Sequence, residues 1–187
     1  MALLNDFCEF SNISISSIEP NTIQTTLNGR DIVQSIASQK WQIDATIAVM
    51  EEQGYMALMS HIFSQRGAYG EFQVYLPINK TNPDKSNGSV SIIAAAGSDT
   101  VSINQHGSVN IGSYIRFGNH SKVYIVKSFT PTQITVYPEL TQSVNVNDIV
   151  IFDTPLFTVR FNEGAIPLTI DSSFLSNKID VTMFEVI

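Results

Sequence analysis

Charged residues are scarce in this 187-residue chain: they make up 14% of it, against roughly 25% in typical soluble domains. Basic residues are the fewest, with 10 Lys and Arg against 17 Asp and Glu, and the net charge is −7. Because proteins neutralise phosphates with clustered Lys and Arg, these scattered basic residues argue against a nucleic-acid-binding surface. A surface so poor in charge suits a chain that packs against copies of itself or against neighbours, although a plain β-rich fold would also explain it.

Cysteine and long apolar runs are also nearly absent. Cys8 is the single cysteine, so an internal disulfide is excluded, and we interpret Cys8 as a small buried apolar residue in a protein that folds in a reducing cytoplasm. No run approaches 18 apolar residues, and the N-terminus lacks a basic segment followed by an apolar one. We therefore expect neither a membrane span nor a secretory leader.

Motifs for catalysis and ligand binding are missing as well. The sequence contains no G-x-S-x-G nucleophile elbow and no glycine-rich phosphate loop. The histidines His61, His106 and His120 have no Cys or paired carboxylate at metal-ligand spacing. Asp148 and Asp153 flank an apolar strand, and we interpret them as turn formers instead of calcium ligands. The prediction is a protein without enzymatic activity, metal or cofactor.

The strongest positive pattern is a strand–helix–strand unit at residues 39–77. Trp41 opens a stretch that is apolar at every second position, which is typical of a half-buried strand. Apolar residues at three- and four-residue spacing then predict the one helix, and a second alternating strand runs up to Pro77. The side chains expected to pack in this core or against a neighbouring subunit are Trp41, Tyr55, Leu58, Met59, Ile62, Phe63 and Phe72.

Strands dominate the rest of the chain. Asn28 and Gly29 lie between two runs rich in β-branched residues and predict a hairpin. After a polar loop at 78–89, short apolar segments alternate with turn signals about every ten residues, which indicates a small antiparallel barrel. Its predicted strands include residues 100–104, 114–117 and 133–137. Longer strands return after Pro155, at residues 156–161, 165–170 and 178–186. We expect them to pair with the N-terminal strands, because three strands and a helix are marginal alone.

The predicted fold class is mainly β, with a discontinuous first domain and an inserted second one. Residues 1–88 and 155–187 are predicted to form a split β-barrel with one packed α-helix, and residues 89–154 a small antiparallel β-barrel module. His61 is interpreted as a surface or boundary residue of the helix. Three basic residues of the inserted module are interpreted as a solvated face: Arg116, Lys122 and Lys127.

The order of these landmarks resembles structural proteins of the tail tip and baseplate of long-tailed bacteriophages. The resemblance covers about residues 30–160 and rests on KWQIDATIAV, YMALMSHIFSQRG, GEFQVYLP and the segment IGSYIRFGNHSKVYIV from Ile111 to Val126. It implies a split barrel of the kind found in distal tail proteins and tail-hub domains, assembled as a homo-oligomeric, six-fold ring. The inserted module at 89–154 departs from that pattern, and the resemblance gives it an outward position against neighbouring tail proteins or fibres.

The same resemblance implies where the protein works and with what. Its copies would be made in the host cytoplasm and incorporated into the virion at the tail tip, next to tail-tube, hub and fibre proteins. No membrane would be involved, and DNA would only pass through the lumen of the ring, which agrees with the acidic balance. The alternative is a carbohydrate- or receptor-binding β module of a phage tail, in which Trp41 or tyrosines stack on sugar. Because Trp41 lies within an alternating apolar strand, we expect it to be buried.

Overall fold

The computed structural model describes residues 3–6, 8–35, 39–49, 52–77, 87–104, 109–162 and 177–187. The fold is mainly β, and the described residues contain one α-helix. In chain order the described strands are β1 (Glu9–Ile18), β2 (Asn21–Thr25), β3 (Asp31–Ser35), β4 (Lys40–Val49), β5 (Phe72–Tyr75), β6 (Gly88–Val90), β7 (Thr100–Asn104), β8 (Tyr114–Phe117), β9 (Val123–Thr130), β10 (Gln133–Tyr137), β11 (Ile149–Ile151), β12 (Leu156–Phe161) and β13 (Asn177–Glu185). The helix α1 (Glu52–Ser64) lies between β4 and β5, and 3-10 turns span Leu4–Asp6 and Gly67–Tyr69.

The chain divides into two compact units. The first, the barrel unit, contains Met1–Asn5, Phe72–Thr158 and Ile187, and the second, the half-barrel unit, contains Asp6–Glu71 and Val159–Val186. The predicted domain boundaries after residues 88 and 154 stay a prediction.

A curled five-stranded sheet has the strand order β1-β4-β13-β12-β5. Strand β13 runs antiparallel to β4 over most of their length, from Asn177 opposite Val49 to Phe184 opposite Gln42. The expected pairing of C-terminal with N-terminal strands is therefore confirmed. The strand that we predict at residues 165–170 lies outside the described residues.

Strand β4 is half-buried, as its alternating apolar residues predict. Trp41, Ile43, Ala45 and Ile47 are all buried, and the residues between them are partly exposed. Helix α1 contacts this strand and ends at Ser64, after which Arg66 and Gly67 adopt left-handed φ angles of 52° and 65°. Such angles after the last turn are a common way to end a helix.

Six short strands close a barrel in the order β10-β7-β6-β11-β8-β9. Three of them, β7, β8 and β10, have the bounds that turn spacing and alternation predict. Their inward residues form one apolar core, in which the largest fully buried rings belong to Phe117, Tyr124 and Phe152. The predicted mainly β fold class, with one helix and a small antiparallel barrel, is confirmed.

Candidate interaction surface

The predicted packing residues divide between the core and the surface. Five of them are at most 4% exposed: Trp41, Tyr55, Leu58, Ile62 and Phe72. Met59 is half-buried, and Phe63 is 66% exposed. The buried face of the helix also contains His61, which is 7% exposed although its sequence context suggests a surface or boundary position. At about 100° per residue, this buried face is centred near Leu58, and Phe63 points away from it.

The outward side of α1 carries an apolar stripe of its own. Met56 is 65% exposed and Phe63 66% exposed, and half-buried Met59 lies between them. The three positions fall within about 60° of one another on a helical wheel. The apolar spacing that predicts one packed face thus belongs to two adjacent faces, and the stripe containing Phe63 faces outward.

Burial perturbs two titratable groups of the half-barrel unit. It lowers the pKa of His61 below the ordinary value of 6.5, and the nearby Asp6 carboxylate opposes that effect. Burial raises the pKa of the half-buried Cys8 thiol to about 12. A thiol with so high a pKa is protonated at neutral pH, so Cys8 is unsuited to act as a nucleophile or a metal ligand.

Strands β2 and β3 form a two-stranded ribbon, residues 21–35, that we call the arm. They pair in register around Ile23 opposite Val33 and have no other partner among the described strands. Ile23 is 64% exposed, Val33 is 61% exposed and Leu27, near the turn, is fully exposed. A two-stranded ribbon that buries so little apolar surface is marginally stable by itself. The arm is therefore the strongest candidate for a surface that another molecule covers.

Local polar contacts shape the end of the arm. Thr25 Oγ1 donates to Asp31 Oδ1 at 2.6 Å, and Thr26 Oγ1 donates to the Arg30 carbonyl at 2.9 Å while accepting from the Arg30 amide at 3.1 Å. Gly29 takes a φ of 72°, which a residue with a Cβ adopts only with strain. These bonds fix the turn without burying the apolar side chains of the arm.

The two edges of the five-stranded sheet differ. The edge at β5 is covered, because Leu3 forms a parallel bridge with Gln73 and the Asn5 side chain bonds the backbone of Tyr75. The edge at β1 has no partner among the described strands. Between a register shift at Phe10 and Asn12 and the Glu19–Pro20 pair that follows it, this edge strand has neither a charge nor a proline, two of the features that prevent an edge strand from pairing with another chain.

The face of the β1–β4–β13 sheet opposite α1 is polar. Asp44 lies opposite Thr182 and Thr46 opposite Asp180. Each hydroxyl donates to the carboxylate across from it, Thr182 to Asp44 at 2.7 Å and Thr46 to Asp180 at 2.6 Å. Both pairs line a shallow groove with Asn12 and Ser14. We call these polar residues the acidic face; within the described part of the chain, no set of three or more His, Cys, Asp or Glu could hold a metal ion.

The predicted solvated face of the barrel unit is wrong in one residue and only partly right in another. Lys122 is fully buried. Arg116 is half-buried and donates from Nη1 to the Leu156 carbonyl at 3.2 Å, and burial lowers its pKa; Lys127 is exposed. Strand alternation begins only at Val123, so it gives no information about Lys122 in the preceding turn.

Comparison with known proteins gives no family to which this chain can be assigned. No protein-family model matches it, and no curated protein matches its sequence. No described helix is long and apolar enough to cross a membrane.

Proposed function

We propose that this chain is a non-enzymatic structural protein whose copies assemble into a homo-oligomeric, six-fold ring at the distal end of a phage tail. The observation that carries the proposal is the arm, which presents Ile23, Leu27 and Val33 to solvent. The assignment to a phage tail rests on the sequence resemblance described above. Tail-tube, hub and fibre proteins are the other partners that it implies, in a virion whose parts are made in the host cytoplasm.

Burial of the arm supplies a driving force for association. Moving one large aliphatic side chain from water into an interface contributes about 1.5–3 kcal/mol. The arm exposes four such residues by more than half: Ile23, Leu27, Ile32 and Val33. In a head-to-tail ring each copy contributes its arm once and receives a neighbour's arm once, so closure leaves no arm exposed.

The uncharged edge of β1 favours the same assembly. An exposed edge strand presents unpaired amide and carbonyl groups and can add a strand from another chain. In a monomer the edge formed by residues 10–18 would be an aggregation hazard. A closed ring in which each β1 meets a neighbouring copy satisfies those backbone groups and limits growth to one ring.

The acidic face suits a lumen through which DNA passes. Asp44 and Asp180 repel phosphate, and the hydroxyls of Thr46 and Thr182 are engaged with those carboxylates. Such a face binds no phosphate specifically. We therefore assign it to the inner wall of the proposed ring.

A paired substitution in the arm tests the proposal. Ile23→Ser with Val33→Ser removes two exposed apolar side chains that lie opposite each other, at little cost to the isolated chain. The matched control is Ile92→Ser with Ile93→Ser, because both residues are 63% exposed in the barrel unit. Light scattering should show the ring mass for the native chain and the control, and a monomer for the arm variant. A native chain that is monomeric, or an arm variant that keeps the ring mass, would overturn the proposal.

The exposed ring of Tyr69 keeps the sugar-binding alternative open. Trp41 is 3% exposed and cannot stack on a ligand, but Tyr69 is 84% exposed. If the protein binds glycans, Tyr69→Ala should abolish retention on a glycan array without changing its mass. Unchanged retention, or no retention by the native chain, excludes stacking on this residue.

A further inference from the structure

The barrel unit contains a buried histidine that the ring proposal does not use. His120 lies in the turn between β8 and β9 and is 3% exposed. Its ring packs against Phe117 with centroids 5.5 Å apart and against Tyr124 with centroids 5.8 Å apart. Nδ1 lies 2.8 Å from the Tyr124 hydroxyl, whereas Nε2 makes no hydrogen bond within the described chain.

Tyr124 connects this histidine to the segment that leads into β11. The Thr141 amide donates to Tyr124 Oη at 3.2 Å, and the Thr141 hydroxyl lies 3.1 Å from the same oxygen. If Nδ1 carries the imidazole proton, Tyr124 accepts from both His120 and the Thr141 amide and gives its own proton to Thr141 Oγ1. Every proton then has an acceptor, and Nε2 is left with a lone pair. The other tautomer would place an N–H at Nε2, which makes no hydrogen bond within the described chain, and this is unfavourable in a buried site.

Residues 140–148, which we call the closing segment, pack on the barrel. Leu140 and Val144 are buried in the barrel core. The Leu140 amide donates to the Ser98 carbonyl at 2.8 Å, and the Val144 amide donates to the Ala94 carbonyl at 2.9 Å. Two side-chain contacts join the closing segment to the His120 turn: the Tyr124–Thr141 pair, and Asn119 Nδ2 donating to the Ser143 carbonyl at 3.3 Å.

We propose that His120 is an acid-sensitive latch, which holds the closing segment on the barrel while it is neutral and releases it when Nε2 is protonated. Protonation places a charge and a second N–H donor on a ring that is 3% exposed and packs against Phe117. Separation of the turn from the closing segment would let water reach the imidazolium. That separation exposes Leu140 and Val144 and opens one end of the barrel.

The surrounding charges set the direction of the response. Among the described residues, the titratable groups next to His120 are the Tyr124 hydroxyl on β9, 2.8 Å from Nδ1, and the Asp148 carboxylate at the end of the closing segment; Lys122, two residues along the chain, is buried. Burial lowers the pKa of His120 below 6.5, and the smaller opposing effects come from the Ser143 backbone and Asp148. An exposed histidine in the open state keeps a pKa near 6.5. Opening is therefore favoured progressively as pH falls from about 6.5 toward the lower pKa of the closed state.

Hydrogen exchange of the full chain tests the latch. Exchange of peptides that cover residues 138–148 is measured by mass spectrometry between pH 7.5 and 5 and corrected for the intrinsic effect of pH. The reference is the peptide that contains Ile103, whose amide donates to the Thr132 carbonyl at 2.9 Å in the same barrel. Protection of the closing segment should fall by up to roughly tenfold per pH unit below about pH 6.5, because opening takes up one proton, while that of the reference stays constant.

Two variants separate the latch from general acid sensitivity. His120→Gln keeps a polar side chain without a titrating group, so protection of the closing segment should no longer depend on pH. His61→Gln removes the buried histidine of the half-barrel unit and should leave the pH dependence of the closing segment unchanged. Constant protection in the native chain, or a pH dependence that disappears with His61→Gln instead, would overturn the proposal. If His120→Gln does not fold, His120→Asn serves as the non-titrating variant.

Discussion

The side chain of Asn5 pairs with both backbone groups of Tyr75. Asn5 Nδ2 donates to the Tyr75 carbonyl at 3.0 Å, and Asn5 Oδ1 accepts from the Tyr75 amide at 2.9 Å. A side-chain amide thus occupies the place of a neighbouring strand at β5. On its outer side β1 has no partner among the described strands. One edge of the sheet is satisfied within the chain, and the other is the edge that we assign to a neighbouring copy.

A charge on the open edge should weaken assembly. Ser16 is exposed on β1, and Ser16→Lys adds the side chain that commonly keeps edge strands from pairing. We expect the free energy of association to weaken by about 1 kcal/mol per interface, because an unfavourable cross-strand contact costs about this much. Analytical ultracentrifugation measures the change. The control Thr132→Lys places the same charge on an exposed turn of the barrel unit and should associate like the native chain. Equal association of the two variants would contradict the proposal that copies associate through β1.

The two faces of α1 should respond differently to truncation. Leu58 is fully buried, so Leu58→Ala should lower the free energy of unfolding by about 2–5 kcal/mol. Phe63→Ala removes a larger side chain from an exposed position and should change it by less than about 0.5 kcal/mol. Urea unfolding followed by Trp41 fluorescence measures both, because Trp41 belongs to the same unit. A loss with Phe63→Ala as large as that with Leu58→Ala would show that the packed face is assigned incorrectly.

Acid should destabilise the half-barrel unit through His61. Burial holds the pKa of His61 in the folded chain below its unfolded value of 6.5, so the unfolded state takes up the proton first. The stabilisation is fully present above about pH 6.5 and is lost as pH falls toward the folded pKa. Urea midpoints read from Trp41 fluorescence should decrease over that range in the native chain. His61→Gln should flatten this decrease, and an equally steep decrease in the variant would assign it to other groups.

Trp41 fluorescence tests whether this ring is buried within one chain and therefore unable to stack on a sugar. With 3% of its surface exposed, the indole should emit at short wavelength and be quenched weakly by acrylamide. Ser16→Lys should show the same weak quenching, since Trp41 is buried within one chain. Strong quenching in either protein would contradict the burial of Trp41 and strengthen the carbohydrate-binding alternative.

The sequence predicts the strands better than it predicts what they face. Alternation and turn residues place β7, β8 and β10 correctly, because both signals are local. The hairpin at Asn28 and Gly29 is predicted for the same reason. The exposure of Ile23 and Val33 is not, because an alternating strand looks the same whether its apolar side meets its own core or another molecule.

The errors at individual side chains have similar causes. Helical periodicity groups Phe63 with Leu58, but two adjacent apolar stripes on α1 produce the same spacing, and only the position of the sheet decides which is packed. His61 is buried by its place beside that stripe. Lys122 and His120 lie in the turn between β8 and β9 and are buried. A turn shows neither the two-residue alternation of a strand nor the 3.6-residue repeat of a helix. Charge and hydropathy alone give no sign of that burial.

Electron microscopy of the purified full-length protein tests the ring most directly. Class averages should show closed rings with six-fold symmetry and a central hole, and the Ile23→Ser, Val33→Ser variant should show none. Native particles that are uniformly the size of one chain, or open filaments without closure, would contradict the proposed ring.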